Sequence, residues 1–416
     1  MASLPLRPAA RTSVVILTAL VATLARPAPA SACGGMVFPA HEERVGGMSD
    51  QELAVVFGAE ETVLVASAGY DAVSAAEFAF LLPLASAPAE VRDGDSTLFL
   101  ALDEYSAPRV AVFEDEDEPM GLCGSSDKAG GGDGLGDPMG DRGDVMVVDR
   151  GETATYEYVV IGGDTGTAIA DWLTDAGYPL PADYAAALAP YVENEWFFFA
   201  AKVKPAADSG ALAPIELHLP PAQPATFEIP LAIATHSMKP GAELRLTTYF
   251  IGGGPVLPQN YAAQAVDDDE LVAISDTETN YAELEAAVLA SDPEGAWVID
   301  FSNPLYAGGL AEAYDEGTWA GRIDPMTNSR AWLEDFTARA GLDGLHLTRL
   351  RTALKPEQVR DLTLRAASGP PVDNLHSVTV DTDYTDACRI DRTGRLPQLL
   401  LLVPVLAWIR RKPRRR

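Results

Sequence analysis

Four aspartates in a glycine-rich segment come closest, among the residues of this chain, to a metal-binding pattern. They are Asp133, Asp137, Asp141 and Asp144. Ca²⁺ takes about six to eight oxygen ligands, and carboxylates on a turning backbone supply them. The spacing differs from an EF-hand loop, and Gly136 stands where a glycine-rich calcium repeat has an aspartate. A solvated loop is therefore the favoured interpretation and a Ca²⁺ site is its alternative; no other cofactor is predicted.

The histidines do not indicate a zinc site. All five are scattered singly, and the H-E-E-R sequence at residues 41–44 lacks the second histidine of the H-E-x-x-H motif. His218 and His346 lie in segments with strand patterns. A histidine in such a segment is more often partly buried and hydrogen-bonded than a metal ligand, so we expect that role for both.

Catalytic patterns are equally sparse. The chain has no G-x-S-x-G nucleophile elbow, no P-loop and no dinucleotide fingerprint. Cys123 is surrounded by glycine and acidic residues, which disfavour a reactive thiolate. The 61 acidic residues could include the carboxylate pair of a hydrolase, but the sequence does not single out two of them.

Charge and hydropathy limit the class of protein. The chain has 30 basic and 61 acidic residues, for a net charge of −31. Such a surface repels the phosphates of nucleic acid and of anionic lipids, so we expect no nucleic-acid partner. Because 47% of the residues are hydrophobic, the chain is expected to fold rather than remain an acidic disordered segment.

The first 32 residues have the features of a secretory signal peptide. Two arginines at residues 7–11 precede an apolar run at 14–24, and the A-S-A sequence at 30–32 gives a cleavage site before Cys33. The run is shorter than the roughly 20 residues that span a bilayer. Cleavage before Cys33 is favoured, and a lipoprotein acylated at Cys33 is the alternative.

The C-terminal residues 396–416 form a short hydrophobic segment with an Arg-rich end. A basic cluster stays cytoplasmic by the positive-inside rule, so one interpretation is a transmembrane anchor. The cysteine, spacer, apolar run and Arg cluster also resemble the C-terminal sorting tails of myxobacterial surface proteins. That resemblance implies removal of the tail and delivery to the cell surface, and it makes Cys388 the anchoring cysteine. A plain C-terminal helix is the third interpretation.

The three cysteines form no C-x-x-C pair. An exported protein can form disulfides, and the favoured pairing is Cys33 with Cys123, which leaves Cys388 for anchoring. The alternative is an acylated Cys33 and a buried thiol at Cys123, because sequence alone does not set connectivity.

The chain between the two ends predicts an α+β fold. A β-rich ectodomain is expected at residues 33–365, with an inserted αα-hairpin and short helices. An acidic Gly/Asp loop at 114–144 interrupts it, and a sub-boundary is expected near 252–270. Residues 366–395 are interpreted as a stalk with some strand character near 377–380.

Local patterns place the main elements. Apolar residues at helical spacing predict two helices around residues 169–176 and 184–191, the first ending at Gly177. The apolar run at 196–203 predicts a central strand buried on both faces. A strand is expected at 227–234.

Two helix starts are also predicted from capping patterns. Ser96 is expected to cap the helix that begins at Thr97. Asn280 with Glu283 forms a capping-box-like start to a helix at residues 281–290.

Several short blocks, taken in order, resemble the bacterial domain-of-unknown-function 2330 family. They are A-C-G-G at 32–35, the phenylalanine-rich strand 78–84, residues 98–110, 172–178 and 190–203, and L-T-R-L-R-T at 347–352 followed by Pro356. The resemblance covers most of residues 33–365. It implies an exported bacterial protein, often with a C-terminal anchor, and it implies no activity.

These observations predict a non-catalytic envelope or cell-surface protein with a structural or interaction role. It is expected to be exported, to contact a membrane through its C-terminal tail and to bind an envelope or extracellular protein. The alternatives are an envelope hydrolase that uses a carboxylate pair and a calcium-dependent binding module.

Overall fold

The computed structural model describes residues 35–37, 48–70, 79–113, 145–178, 180, 184–204, 213–238, 241–275, 278–316 and 329–379. These ranges contain eighteen β-strands and six α-helices, which is the β-rich α+β fold expected from the sequence. The segments 1–32, 114–144 and 396–416 lie outside them, together with all three cysteines and the four candidate calcium ligands. The roles assigned to those residues stay predictions.

The apolar segment expected to be a central strand is the middle of a five-stranded antiparallel sheet. Phe198 faces one side of this strand and Phe199 the other, and both are fully buried, so the prediction is confirmed. The sheet has the order β1 (Gly35–Val37), β4 (Ala79–Leu84), β9 (Phe197–Val203), β8 (Tyr156–Gly163) and β7 (Val145–Glu152).

A second, larger sheet has eight strands and is mixed. Its centre is a parallel pair of strands that are distant in sequence, with Leu246 opposite Gln51. The order is β14 (Ala262–Gln264), β15 (Ala296–Pro304), β16 (His346–Leu354), β12 (Leu244–Gly252), β2 (Met48–Phe57), β3 (Thr62–Tyr70), β10 (Ile215–Leu219) and β5 (Glu90–Asp93).

Two small sheets complete the strand pairing. One has the order β11 (Glu228–Ile229), β17 (Leu362–Ala366) and β13 (Val256–Pro258). In the other, β6 (Arg109–Phe113) pairs in parallel with β18 (Leu375–Thr379), which is the strand expected near 377–380. The first part of the segment interpreted as a stalk is therefore paired with a strand of the α+β fold.

The elements form four layers, helix–sheet–sheet–helix. The main core lies between the inner faces of the two large sheets and contains Phe199, Phe250 and Trp297. Helices α2 (Gly166–Asp175) and α3 (Tyr184–Glu193) cover the outer face of the five-stranded sheet. The outer face of the eight-stranded sheet is covered by α1 (Thr97–Ser106), α5 (Ala307–Glu316) and α6 (Ser329–Arg339), with α4 (Tyr281–Leu289) beside β15.

The predicted αα-hairpin is confirmed, including its first C-terminus. Gly177 has φ +84°, and its N–H donates to the carbonyl oxygen of Thr174. The N–H of Tyr178 donates to Leu173, which completes a Schellman motif. Only glycine adopts this left-handed conformation at low cost, so its position fixes the end of α2.

Both predicted helix starts are confirmed, with Ser96 and Asn280 at the N-cap positions of α1 and α4, but neither side chain makes the expected capping hydrogen bond. At α1 the Asp95 carboxylate, not Ser96, accepts from the N–H of Thr97 at 2.9 Å. The Asn280 side chain reaches back along the chain instead of capping α4. It accepts from the N–H of Val272 at 2.8 Å and donates to the carbonyl of Glu270 at 2.9 Å.

The strand expected at residues 227–234 is also shorter than predicted. Only Glu228–Ile229 pairs in a sheet, and Ala232–Ser237 forms a 3₁₀ helix. Pro230 follows the paired residues and has no N–H to donate, so the ladder ends there.

Candidate functional site

A polar cavity lies on the outer face of the eight-stranded sheet, lined from its two sides by a side chain of α1 and side chains of α4. Its volume is about 620 Å³, which is within the usual range for small-molecule sites. Seven of the side chains that line it are charged: Glu52, Asp103, Glu243, Arg245, Glu285, Arg349 and Arg351. We refer to this cavity as the polar pocket.

The register of three strands places the floor of the polar pocket. Thr247 on β12 lies directly between Glu52 on β2 and Arg351 on β16. Side chains two residues apart on a strand share a face, so Arg349 points to the same side as Arg351. The floor is therefore a row of polar groups on a face whose remaining area is covered by helices.

A β-bulge supplies the buried counter-charge of these arginines. The register between β15 and β16 shifts between Ile299 and Phe301, and the extra residue is Asp300, which is 1% exposed. Its Oδ2 accepts a short hydrogen bond from Arg351 Nε, and its Oδ1 lies 3.0 Å from Arg351 Nη2. Arg349 Nε lies 3.2 Å from Oδ2 as an ion pair without a hydrogen bond.

Each arginine has a second, more exposed carboxylate partner on a helix. Arg349 Nη2 donates to Asp103 of α1 at 2.7 Å, and Arg351 Nη1 lies 2.8 Å from Glu285 of α4. Burial opposes the charge on Arg349, but nearby groups that include the Asp300 and Asp103 carboxylates raise its pKa above the ordinary value. The ion pairs thus fix both arginines and tie both walls of the polar pocket to its floor.

Beneath the arginines lies a buried hydroxyl that is not satisfied. Tyr249 is fully buried, its ring centroid is 5.6 Å from the Arg349 guanidinium carbon, and its hydroxyl has no hydrogen-bond partner among the described residues. Burial raises its pKa well above the ordinary value, so the phenol stays protonated.

Two charged side chains that line the polar pocket are unpaired. Glu243 immediately precedes β12, and Arg245 is the second residue of that strand. Both are exposed, and neither makes an ion pair or side-chain hydrogen bond within the part of the chain that the structure describes. They are available to a ligand in a way that Arg349 and Arg351 are not.

A second charged cluster surrounds His218 on β10. His218 Nδ1 lies 2.8 Å from Glu61 and its Nε2 lies 2.9 Å from the buried Glu216, which also accepts from Arg339 of α6 at 2.9 Å. The hydrogen bond with Glu216 is the main reason that the pKa of His218 is raised. Because both ring nitrogens are held by carboxylates, this histidine is a structural group, as expected.

The second strand histidine is also hydrogen-bonded. His346 Nε2 lies 2.9 Å from Ser302 Oγ, and burial lowers the pKa of His346. Ser302 is 5% exposed, and among the described residues no carboxylate contacts this histidine. The pair therefore lacks both the access and the third group of a serine nucleophile.

Among the described residues, no group of three or more histidine, cysteine, aspartate or glutamate side chains is arranged to hold a metal ion. None of the helices in the described ranges is both long and apolar enough to cross a membrane.

Sequence reasoning did not single out the polar pocket. The signal was present in the L-T-R-L-R-T block, where two arginines alternate with leucines in a strand and must share one face. The partner of these arginines could not be read from the sequence, because Asp300 joins them only through the bulge.

Fold and site together define a β-rich α+β protein of four layers, with a polar, ion-paired pocket on one sheet face. A family model described as "Uncharacterized protein conserved in bacteria (DUF2330)" matches residues 27–388. The chain belongs to this family, as the blocks in its sequence indicated, and the matched range contains every residue of the polar pocket. No curated protein and no solved structure matches the chain.

Proposed function

We propose that this chain is a non-catalytic, exported envelope protein that acts by binding, and that the polar pocket is its binding site. The ion-pair network of Asp300, Arg349 and Arg351 is the observation that carries the proposal. This network ties the floor of the polar pocket to both of its walls, so a ligand would meet a preformed site. Export is supported by the signal-peptide pattern at residues 1–32 and the tail at 396–416.

The state of the carboxylates favours binding over hydrolysis. A carboxylate hydrolase needs one carboxyl group that keeps its proton and another that stays ionised. Asp103 and Glu285 are each engaged by an arginine, so neither is free to approach a bound substrate as an acid or a nucleophile. Arginine itself stays charged and does not transfer protons at physiological pH.

The experiment uses the full chain and a variant in which the polar pocket is filled. The melting temperature is measured against a panel of small polar molecules, and the same protein is assayed for hydrolysis of chromogenic esters, glycosides and peptides. Thr247→Trp fills the floor of the polar pocket without removing a charge.

Stabilisation by at least one compound that is lost in Thr247→Trp, without turnover, is the expected result. Turnover that Thr247→Trp abolishes would replace the proposal with the hydrolase alternative. If a compound stabilises Thr247→Trp as much as the unaltered protein, it binds outside the polar pocket. Intact mass and fractionation of cells test export, and retention of residues 1–32 in a cytoplasmic fraction would overturn it.

A further inference from the structure

We propose that the polar pocket binds a free α-amino acid, whose ammonium and carboxylate groups are held by Glu243 and Arg245. This inference rests on the proposed binding function and names the class of ligand. It depends on Glu243 and Arg245, which are not part of the ion-pair network.

Glu243 and Arg245 lie close together at the start of β12. They are two residues apart in the sequence, and both line the polar pocket. They carry opposite charges yet form no ion pair with each other. A head group whose ammonium and carboxylate share one carbon atom fits between them and satisfies both.

A site with two opposite charges selects against ligands that carry a single charge. A neutral molecule, or one with only an amine or only an acid, would displace water from Glu243 or Arg245 without replacing its charge partner. The ion pairs of Arg349 and Arg351 are complete without a ligand, so they do not compete for the head group.

The remaining volume receives the amino-acid side chain. Beyond the head-group position the floor offers the Thr247 hydroxyl, with Glu52 and Arg351 on either side of it. About 620 Å³ is ample for a long side chain together with ordered water. Because this part of the wall is polar, we expect a polar side chain to bind more tightly than an apolar one.

The test begins with the twenty common L-amino acids, each titrated into the full chain and followed by calorimetry. For the amino acid that binds most tightly, the N-acetyl form removes the ammonium and the carboxamide form removes the carboxylate. Glu243→Gln and Arg245→Gln are the test variants. Glu193→Gln on α3 and Arg365→Gln on β17 are matched controls, since both are exposed charges away from the polar pocket.

The N-acetyl form, the carboxamide form and each test variant are expected to show binding weakened by at least about tenfold, and the two control variants should bind as the unaltered protein does. In Arg245→Gln the free acid and the carboxamide should bind equally, because the group that distinguishes them is gone. If the N-acetyl and carboxamide forms bind the unaltered protein as tightly as the free amino acid does, the inference is overturned. If no amino acid binds but another compound does so in a Thr247-dependent manner, the ligand class fails and the proposed function stands.

Discussion

Replacing Asp300 with asparagine tests whether the buried carboxylate supports the polar pocket. Asparagine keeps the shape and one oxygen acceptor but removes the charge between two guanidinium groups. The side chain is 1% exposed, so water cannot replace the lost charge. We expect Asp300→Asn to be among the most destabilising polar substitutions in the eight-stranded sheet.

The magnitude follows from the contacts. Breaking a buried ion pair by removing one partner costs about 3–5 kcal/mol. Arg349 and Arg351 each keep a helix carboxylate, Asp103 and Glu285, which places the expected loss near the lower limit, at about 3 kcal/mol. Asp103→Asn is the matched control: its side chain is 39% exposed, and the loss there should be about 1 kcal/mol or less.

The assay is urea unfolding followed by tryptophan fluorescence, since Trp297 is fully buried on the same strand as Asp300. A loss of 3 kcal/mol lowers the midpoint by about 1–3 M urea. Adding Arg351→Gln to Asp300→Asn should restore part of the stability, because it removes one uncompensated charge. If Asp300→Asn destabilises the protein no more than Asp103→Asn does, the buried carboxylate does not support the polar pocket.

Three further substitutions probe other parts of the fold. The pKa of His218 is raised in the folded state, so its ion pairs stabilise the fold below about pH 6.5 and are lost as the pH rises through the folded pKa. His218→Gln should therefore destabilise more at pH 6 than at pH 9 in urea unfolding. Gly166→Ala places a Cβ 2.3 Å from the Ala185 carbonyl oxygen, and it should lower stability by about 1–3 kcal/mol in thermal unfolding as α2 moves off α3. Tyr191→Phe removes a 3.0 Å hydrogen bond to the partly buried Asp361 and should cost about 1–2 kcal/mol by the same method.

Each of these has a control with a different expectation. The pKa of His346 is lowered, so the neutral form of this histidine stabilises the fold above about pH 6.5, and that stabilisation is lost as the pH falls. His346→Gln should therefore destabilise the protein more at pH 9 than at pH 6, the opposite of His218→Gln. Gly253→Ala meets no atom within 4 Å and should be nearly neutral. Tyr158→Phe removes only an exposed 3.4 Å contact. Equal effects in test and control would contradict the reasoning in each case.

Local patterns in the sequence were sufficient for most of the elements, the strand expected at 227–234 being an exception, but not for their arrangement. The run that became β9 and the glycine that ends α2 were identified because their signals are short-range: apolar residues on both faces, and a left-handed turn. The four layers depend on pairings such as β2 with β12, which join residues about 195 positions apart, as Gln51 and Leu246 do. Nothing in either strand specifies its partner.

In the candidate site, too, the local features were visible in the sequence and the long-range contacts were not. The alternating arginines of β16 are visible in the sequence as two charges on one strand face. The bulge at Asp300 and the wall carboxylates Asp103 and Glu285 come from three other elements, so their convergence is a property of the fold. The missing side-chain cap at α4 has a similar cause, because the Asn280 side chain binds a segment eight to ten residues earlier instead of its own helix.

The parallel pairing of β6 with β18 joins two parts of the chain that are far apart in sequence. Phe113 and Thr379 are register partners, so the chain leaves both strands at the same end and in the same direction. Among the described strands, β18 is the partner of β6 in a sheet of two. Loss of residues 375–379 would therefore leave the backbone N–H and C=O groups of β6 as an open edge, to which a strand of another chain could pair.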